Sequence, residues 1–125
     1  MNKKILIVED DQFLREFYQE LLTGEGYTVD MAEEGEIALS KIQNNPYDLV
    51  LLDIMLPKKD GVQILNDLKA KGPKTPNVII VVLTNLEQDL MIKKCFDLGA
   101  EGYLIKSALN PDQVLTEIKS YLNRA

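Results

Sequence analysis

The chain has 125 residues, no histidine, one cysteine and 20 acids against 14 bases, for a net charge of −6. That length fits one domain spanning residues 1–125, and the acidity works against direct nucleic-acid binding, which runs on phosphate neutralisation. Without histidine the commonest general base and the usual nitrogen ligand for zinc are missing, so any chemistry must run on carboxylates, lysine, hydroxyls and a hard metal.

The first apolar run, Lys4–Val8, is too short for a signal-peptide core and is followed by acids rather than a cleavage site. It reads as a buried strand. Glu9, Asp10 and Asp11 follow it, with Asp11 where a helix N-cap belongs. Phe13, Leu14, Phe17, Tyr18, Leu21 and Leu22 then repeat at helical spacing until Gly24 offers a stop. A second strand, Tyr27–Met31, precedes a helix marked by Ile37, Leu39 and Ile42. A third strand, Asp48–Leu52, leads to Asp53. Asp60-Gly61 reads as a turn in which Gly61 is free to take a positive φ, and Val62, Ile64, Leu65 and Leu68 mark the next helix.

The fourth strand, Asn77–Leu83, contains the longest apolar run (Val78 to Leu83), far short of a bilayer span, and ends before Thr84. Met91, Ile92, Cys95, Phe96 and Leu98 mark a helix closed by Gly99, with Cys95 read as a buried, inert thiol. Gly102–Ile105 forms the last strand and delivers Lys106. Asn110-Pro111 then pairs an N-cap with proline at the first helical position, ahead of the stripe Val114, Leu115, Ile118 and Leu122. The doublets Lys58-Lys59 and Lys93-Lys94 are too short and separated to build a nucleic-acid groove and read as solvated surface. A lone cysteine and no membrane span fit a cytoplasmic protein.

Strict strand–helix alternation, with near-continuously apolar strands, predicts an α/β fold with a doubly wound five-stranded parallel sheet. Such sheets bind ligands outside the carboxyl ends of their strands. Glu9 and Asp10, Asp53, Thr84 and Lys106 follow four different strands and so converge on one crevice. Converging carboxylates repel unless a cation offsets them. Oxygen ligands with open positions suit Mg²⁺, and an ionised aspartate is itself a nucleophile that needs no histidine base. Thr84 and Lys106 supply donors for phosphoryl oxygens.

The stretches Ile5-Leu6-Ile7-Val8-Glu9-Asp10-Asp11, Leu51-Leu52-Asp53-Ile54-Met55-Leu56-Pro57, Asp60-Gly61, Val82-Leu83-Thr84 and Gly99-Ala100-Glu101-Gly102-Tyr103-Leu104-Ile105-Lys106, in that order, resemble the receiver domain of two-component response regulators. The resemblance covers essentially the whole chain. It implies a flavodoxin-like (βα)5 fold with strand order 2-1-3-4-5, as in the family's chemotaxis regulator. It implies Asp53 as phospho-acceptor, with Asp10, Asp53 and the Met55 carbonyl as direct Mg²⁺ ligands and Glu9 acting through a water. Lys106 would contact phosphoryl oxygens, and Thr84 with Tyr103 would form the switch pair.

The implied partners are a histidine kinase or phosphotransfer protein upstream and a protein partner or fused output domain downstream, reached through the fourth-helix, fifth-strand, fifth-helix face. Three positions depart from the family pattern. Ser107 replaces the usual proline after the lysine, Asn85 replaces a small residue after Thr84, and Gly102 replaces the acid used in charged dimers. Two other classes fit worse. A haloacid-dehalogenase-type phosphatase wants two aspartates one residue apart after its first strand, which Glu9-Asp10-Asp11-Gln12 does not supply. A flavodoxin-like or nucleotide-binding module wants glycines and hydroxyls there, where this loop is acidic.

Overall fold

The computed structural model describes residues 2–84, 89–106 and 110–123. Five strands and five helices alternate: β1 (Lys4–Val8), α1 (Gln12–Gly24), β2 (Thr28–Ala32), α2 (Gly35–Asn44), β3 (Leu49–Asp53), α3 (Gly61–Ala70), β4 (Ile79–Thr84), α4 (Asp89–Asp97), β5 (Gly102–Ile105) and α5 (Pro111–Asn123). The strands form one sheet in the order β2-β1-β3-β4-β5, every pairing parallel, with Ile5 opposite Val29 and Leu49, and Val81 opposite Leu51 and Gly102. The expected order 2-1-3-4-5 is the observed one.

Because strand side chains alternate, the apolar runs feed two cores. Leu6, Val8, Val50, Leu52, Ile80 and Val82 pack with α2, α3 and α4 residues such as Ile42, Ile64 and Cys95. Ile5, Ile7, Leu49, Leu51, Val81, Leu83 and Leu104 pack with Tyr18 and Leu22 of α1 and Ile118 and Tyr121 of α5.

Several boundaries lie later than the sequence suggests. Tyr27 belongs to the turn that closes α1, its N–H donating to Leu22 O at 3.2 Å, so β2 begins at Thr28. Val78 N–H donates to Thr75 O at 3.1 Å, and this turn delays β4 to Ile79. At the other end the strands run on, so that Asp53 and Thr84 are strand residues.

The helix starts follow expectation at Asp11, whose carboxylate accepts from Leu14 N–H at 3.1 Å, and at Asn110, which accepts from Asp112 N–H at 3.0 Å. α1 runs through Gly24, and Gly26 takes the positive φ of 92°. Gly61 does not have a positive φ; it opens α3 behind Asp60, which forms a capping box with Gln63. Phe13 and Phe96 are not core residues. Phe13 is 76% exposed, about 100° around the helix from Leu14 and off the stripe centred on Tyr18 and Leu22. Cys95 is fully buried, and burial pushes its thiol up to about 11, consistent with an inert core residue.

Candidate functional site

Each functional side chain sits where a buried strand runs out. Glu9 N–H still donates to Ala32 O at 3.1 Å, so the ladder extends one residue past β1 and carries Glu9 inside. Glu9, Asp53 and Thr84 are at most 1% exposed, while Asp10 lies at the surface. By strand alternation Glu9 follows Ile5 and Ile7, and Asp53 follows Leu49 and Leu51, onto the face packed by α1 and α5. Lys106, just beyond β5, places its Nζ 2.6 Å from Asp53 Oδ2 and 3.0 Å from Glu9 Oε1. One ligand oxygen from each of Glu9, Asp10 and Asp53 lies within 4.8 Å of the others. An all-oxygen set of this kind fits a hard divalent cation.

Two buried carboxylates share one ammonium, and the proton affinities record the imbalance. Burial, then the neighbouring Asp53, pushes Glu9 up to about 7. Burial also raises Asp53, outweighing the hydrogen bonds from Lys106 and its other neighbours. Burial works against the charge of Lys106, yet Asp53 and Glu9 prevail and hold its pKa above the ordinary lysine value.

The loop from β3 to α3 is held on three sides. Ile54 N–H donates to Leu83 O at 3.1 Å, and Met55 N–H donates to Asp53 Oδ1 at 3.0 Å. Gly61 passes so near the strand that a Cβ there would stand 2.9 Å from Ile54 Cα. At Gly35, the first residue of α2, a Cβ would fall 1.8 Å from the Lys59 carbonyl oxygen. Lys58 takes φ 70°, and Lys59 pairs with Asp67 of α3, so that doublet is partly built into the loop. Sequence reasoning missed Gly35; a glycine inside the first turn of a helix, where it costs helix stability, was the available signal. It also missed Arg15, whose guanidinium donates to the Glu9 and Asp10 carbonyls at 2.9 and 3.2 Å and fixes the acidic loop.

The structure does not bring Tyr103 into the crevice. Its ring is 45% exposed and meets Phe96 edge to face at 6.2 Å between centroids, whereas Thr84 is buried at the end of β4. Gly102 has a reason beyond the missing acid: a Cβ there would fall 1.7 Å from the Tyr121 hydroxyl, so glycine leaves room for α5's tyrosine. Asn85 and Ser107 lie outside the described residues.

Residues 5–119 match the family model described as Response regulator receiver domain. The transcriptional regulatory protein DltR of Streptococcus agalactiae is 40% identical over 116 residues, covering 93% of this chain and 50% of that protein. The chain spans about half the length of the curated relatives DltR, ArlR and PhoP that it matches. A receiver domain from Methanospirillum hungatei, described as CheY-like, superposes with a TM-score of 0.89 at 30% identity, covering 99% of this chain and 96% of the other. The receiver domain of the sensor histidine kinase PA1611 from Pseudomonas aeruginosa, solved with a magnesium ion coordinated in its active-site cleft, shares the fold with a TM-score of 0.85 at 23% identity, covering 98% of this chain and 99% of the other. The ordered acidic crevice, the strand order and the match over residues 5–119 agree: this chain belongs to the response-regulator receiver family, whose members are phosphorylation switches rather than turnover enzymes.

Proposed function

We propose that residues 1–125 form one receiver domain in which Asp53 accepts a phosphoryl group from the phosphohistidine of a histidine kinase or phosphotransfer protein. The observation that carries this reading is the setting of Asp53: buried at the end of β3, with Oδ2 on Lys106 and Oδ1 on the Met55 N–H. Each oxygen accepts one hydrogen bond and keeps a second lone pair, so Oδ2 attacks phosphorus as the Lys106 ammonium moves onto the incoming phosphoryl oxygens. Asp53 needs no base, since the carboxylate is already the nucleophile. Asp10 and Asp53, with the Met55 carbonyl, are the residues that would hold Mg²⁺, and Glu9 reaches it through a water. When bound, the ion offsets the crowded carboxylates and the phosphoryl charge. Thr84 donates to the phosphoryl group from β4, and Tyr103 swings inward beside α4 as Thr84 shifts.

The α4–β5–α5 face then signals to a separate protein or a fused output domain. With Tyr121 filling the space beside Gly102, that face lacks the acid of a charge-paired dimer. No helix among the described residues is long and apolar enough to cross a membrane, and a cytoplasmic location fits a kinase-fed switch. The test is labelling with Mg²⁺ and acetyl phosphate. The protein gains one hydroxylamine-sensitive phosphoryl group, and Asp53→Asn gains none. Labelling that survives in Asp53→Asn, read by intact mass, moves the acceptor elsewhere.

A further inference from the structure

Among the described residues, two buried side-chain polar atoms have no hydrogen-bond partner: Glu9 Oε1 and the Tyr18 hydroxyl. One is an acceptor and the other a donor. They also share a face of the sheet. Tyr18 of α1 is fully buried in the same core as Ile7, Leu51 and Leu104, the residues two positions before Glu9, Asp53 and Lys106 on their strands. Alternation thus puts Tyr18 on the face of the sheet to which Glu9 and Asp53 belong, and the charges of both are felt at its hydroxyl. Glu9 Oε2 accepts the Asp11 N–H at 3.2 Å, whereas Oε1 meets the Lys106 ammonium at 3.0 Å as an ion pair and accepts no well-directed hydrogen bond.

A phenylalanine would fill the same core without burying an unused donor, whose desolvation costs stability. The phenol also remains a donor throughout the working pH range, because burial, then the charges of Glu9 and Asp53, raise its pKa. Phosphorylation as read above draws the Lys106 ammonium onto the phosphoryl oxygens and so weakens its 3.0 Å pair with Glu9 Oε1. A buried carboxylate oxygen whose close partner is drawn off gains from a new donor.

We propose that Tyr18 is a positioning residue of this crevice, its hydroxyl donating to Glu9 Oε1, directly or through one buried water, in the state in which Lys106 has turned to the phosphoryl group. This rests on the phospho-acceptor reading. It assigns to α1 a part in holding the activated state that none of the site carboxylates supplies.

Tyr18→Phe removes only the hydroxyl. Beryllofluoride, which mimics the phosphoryl group, is titrated at saturating Mg²⁺ into the wild type, Tyr18→Phe, Glu9→Gln and the double variant. The expected result is a loss of affinity of about tenfold for Tyr18→Phe in the wild-type background and a clearly smaller loss in the Glu9→Gln background, where the amide oxygen still accepts from the phenol but carries no charge. The metal-free melting temperature of Tyr18→Phe should stay level or rise. The carbon signal of Tyr18 Cζ, which reports the hydroxyl's hydrogen bond, should move when beryllofluoride is added to the wild type. An unmoved Cζ signal, unchanged affinity, or equal losses in both backgrounds overturns the inference, and the Cζ signal decides if Glu9→Gln binds too weakly to titrate. A wild type that binds no beryllofluoride overturns the phospho-acceptor reading and this inference together.

Discussion

Asp30 on β2 and Asp53 on β3 are each held by a lysine and further donors, yet their proton affinities move in opposite directions. Asp30 accepts from Lys41 at 3.0 Å, from the Tyr47 hydroxyl at 2.6 Å and from the Met31 N–H at 2.8 Å. Desolvation raises its pKa, but these hydrogen bonds, that of Tyr47 first, prevail and lower it. Asp53 has a lysine at 2.6 Å and a backbone N–H at 3.0 Å, and desolvation wins. The difference lies in the surroundings. Asp30 is on the outer strand of the sheet with its side chain 37% exposed, and it has Lys41 as its ion-pair partner. Asp53 is buried at the end of a central strand and divides Lys106 with Glu9. Similar donors thus make a structural ion pair at one place and a destabilised carboxylate at the other.

The largest effect expected from this contrast is a pair of substitutions with opposite outcomes. Asp53→Asn abolishes phosphoryl labelling and also leaves Lys106 with Glu9 alone, a one-to-one pair. The metal-free melting temperature should rise, on the order of 5 °C. Asp30→Asn should lower it, since Lys41 loses its partner. Calorimetry decides, and equal signs for the two variants would break the comparison.

Titration is the next lever. Glu9's folded pKa, pushed up to about 7 from 4.5, is raised, so its ionised form is the destabilised one. Its favourable contribution is complete below the unfolded value and lost as pH rises through about 7. The metal-free protein should therefore gain stability as pH falls from about 8 to about 5. Asp30's pKa is lowered, so its contribution holds above the ordinary carboxylate range and fades as pH falls through the folded value. Melting curves should peak in mild acid. The rise on the alkaline side should vanish in Glu9→Gln, and Mg²⁺ at about ten times its Kd should add about 1.4 kcal/mol near neutral pH. A flat profile from pH 8 to 5 would show that Lys106 suffices for both acids.

What was legible in the chain follows from the same physics. The element order and the meeting of Glu9, Asp53 and Lys106 could be read because apolar strands covered on both faces leave a continuous signature, and polar residues stand out where it stops. The tight spots could not be read. Gly35 against the Lys59 carbonyl and Gly102 under the Tyr121 hydroxyl depend on which segments meet in space, and helical or strand periodicity carries no record of that. Phe13 misled because a large apolar residue beside a stripe looks like part of it. The Asp30–Lys41–Tyr47 cluster went unremarked because its members lie on three different segments, and an acid within an outer strand reads as solvated.

That cluster supplies the smallest and sharpest test. Tyr47 is 2% exposed, and Lys4 Nζ stands 5.1 Å from its ring centroid, so Tyr47→Phe keeps the packing and the cation over the ring. Only the 2.6 Å bond to Asp30 Oδ2 is lost. Asp30 retains Lys41 and the Met31 N–H on its other oxygen, so the cost should be about 1 kcal/mol in chemical denaturation. With the phenol gone, the largest influence lowering the Asp30 pKa is removed while desolvation remains. The pKa should climb back toward the ordinary aspartate value, and the acid limb of the melting curve should move to higher pH. Carboxyl NMR titration measures the first and calorimetry the second. If neither moves, Lys41 alone holds Asp30 ionised, and the contrast with Asp53 reduces to how many acids each lysine must serve.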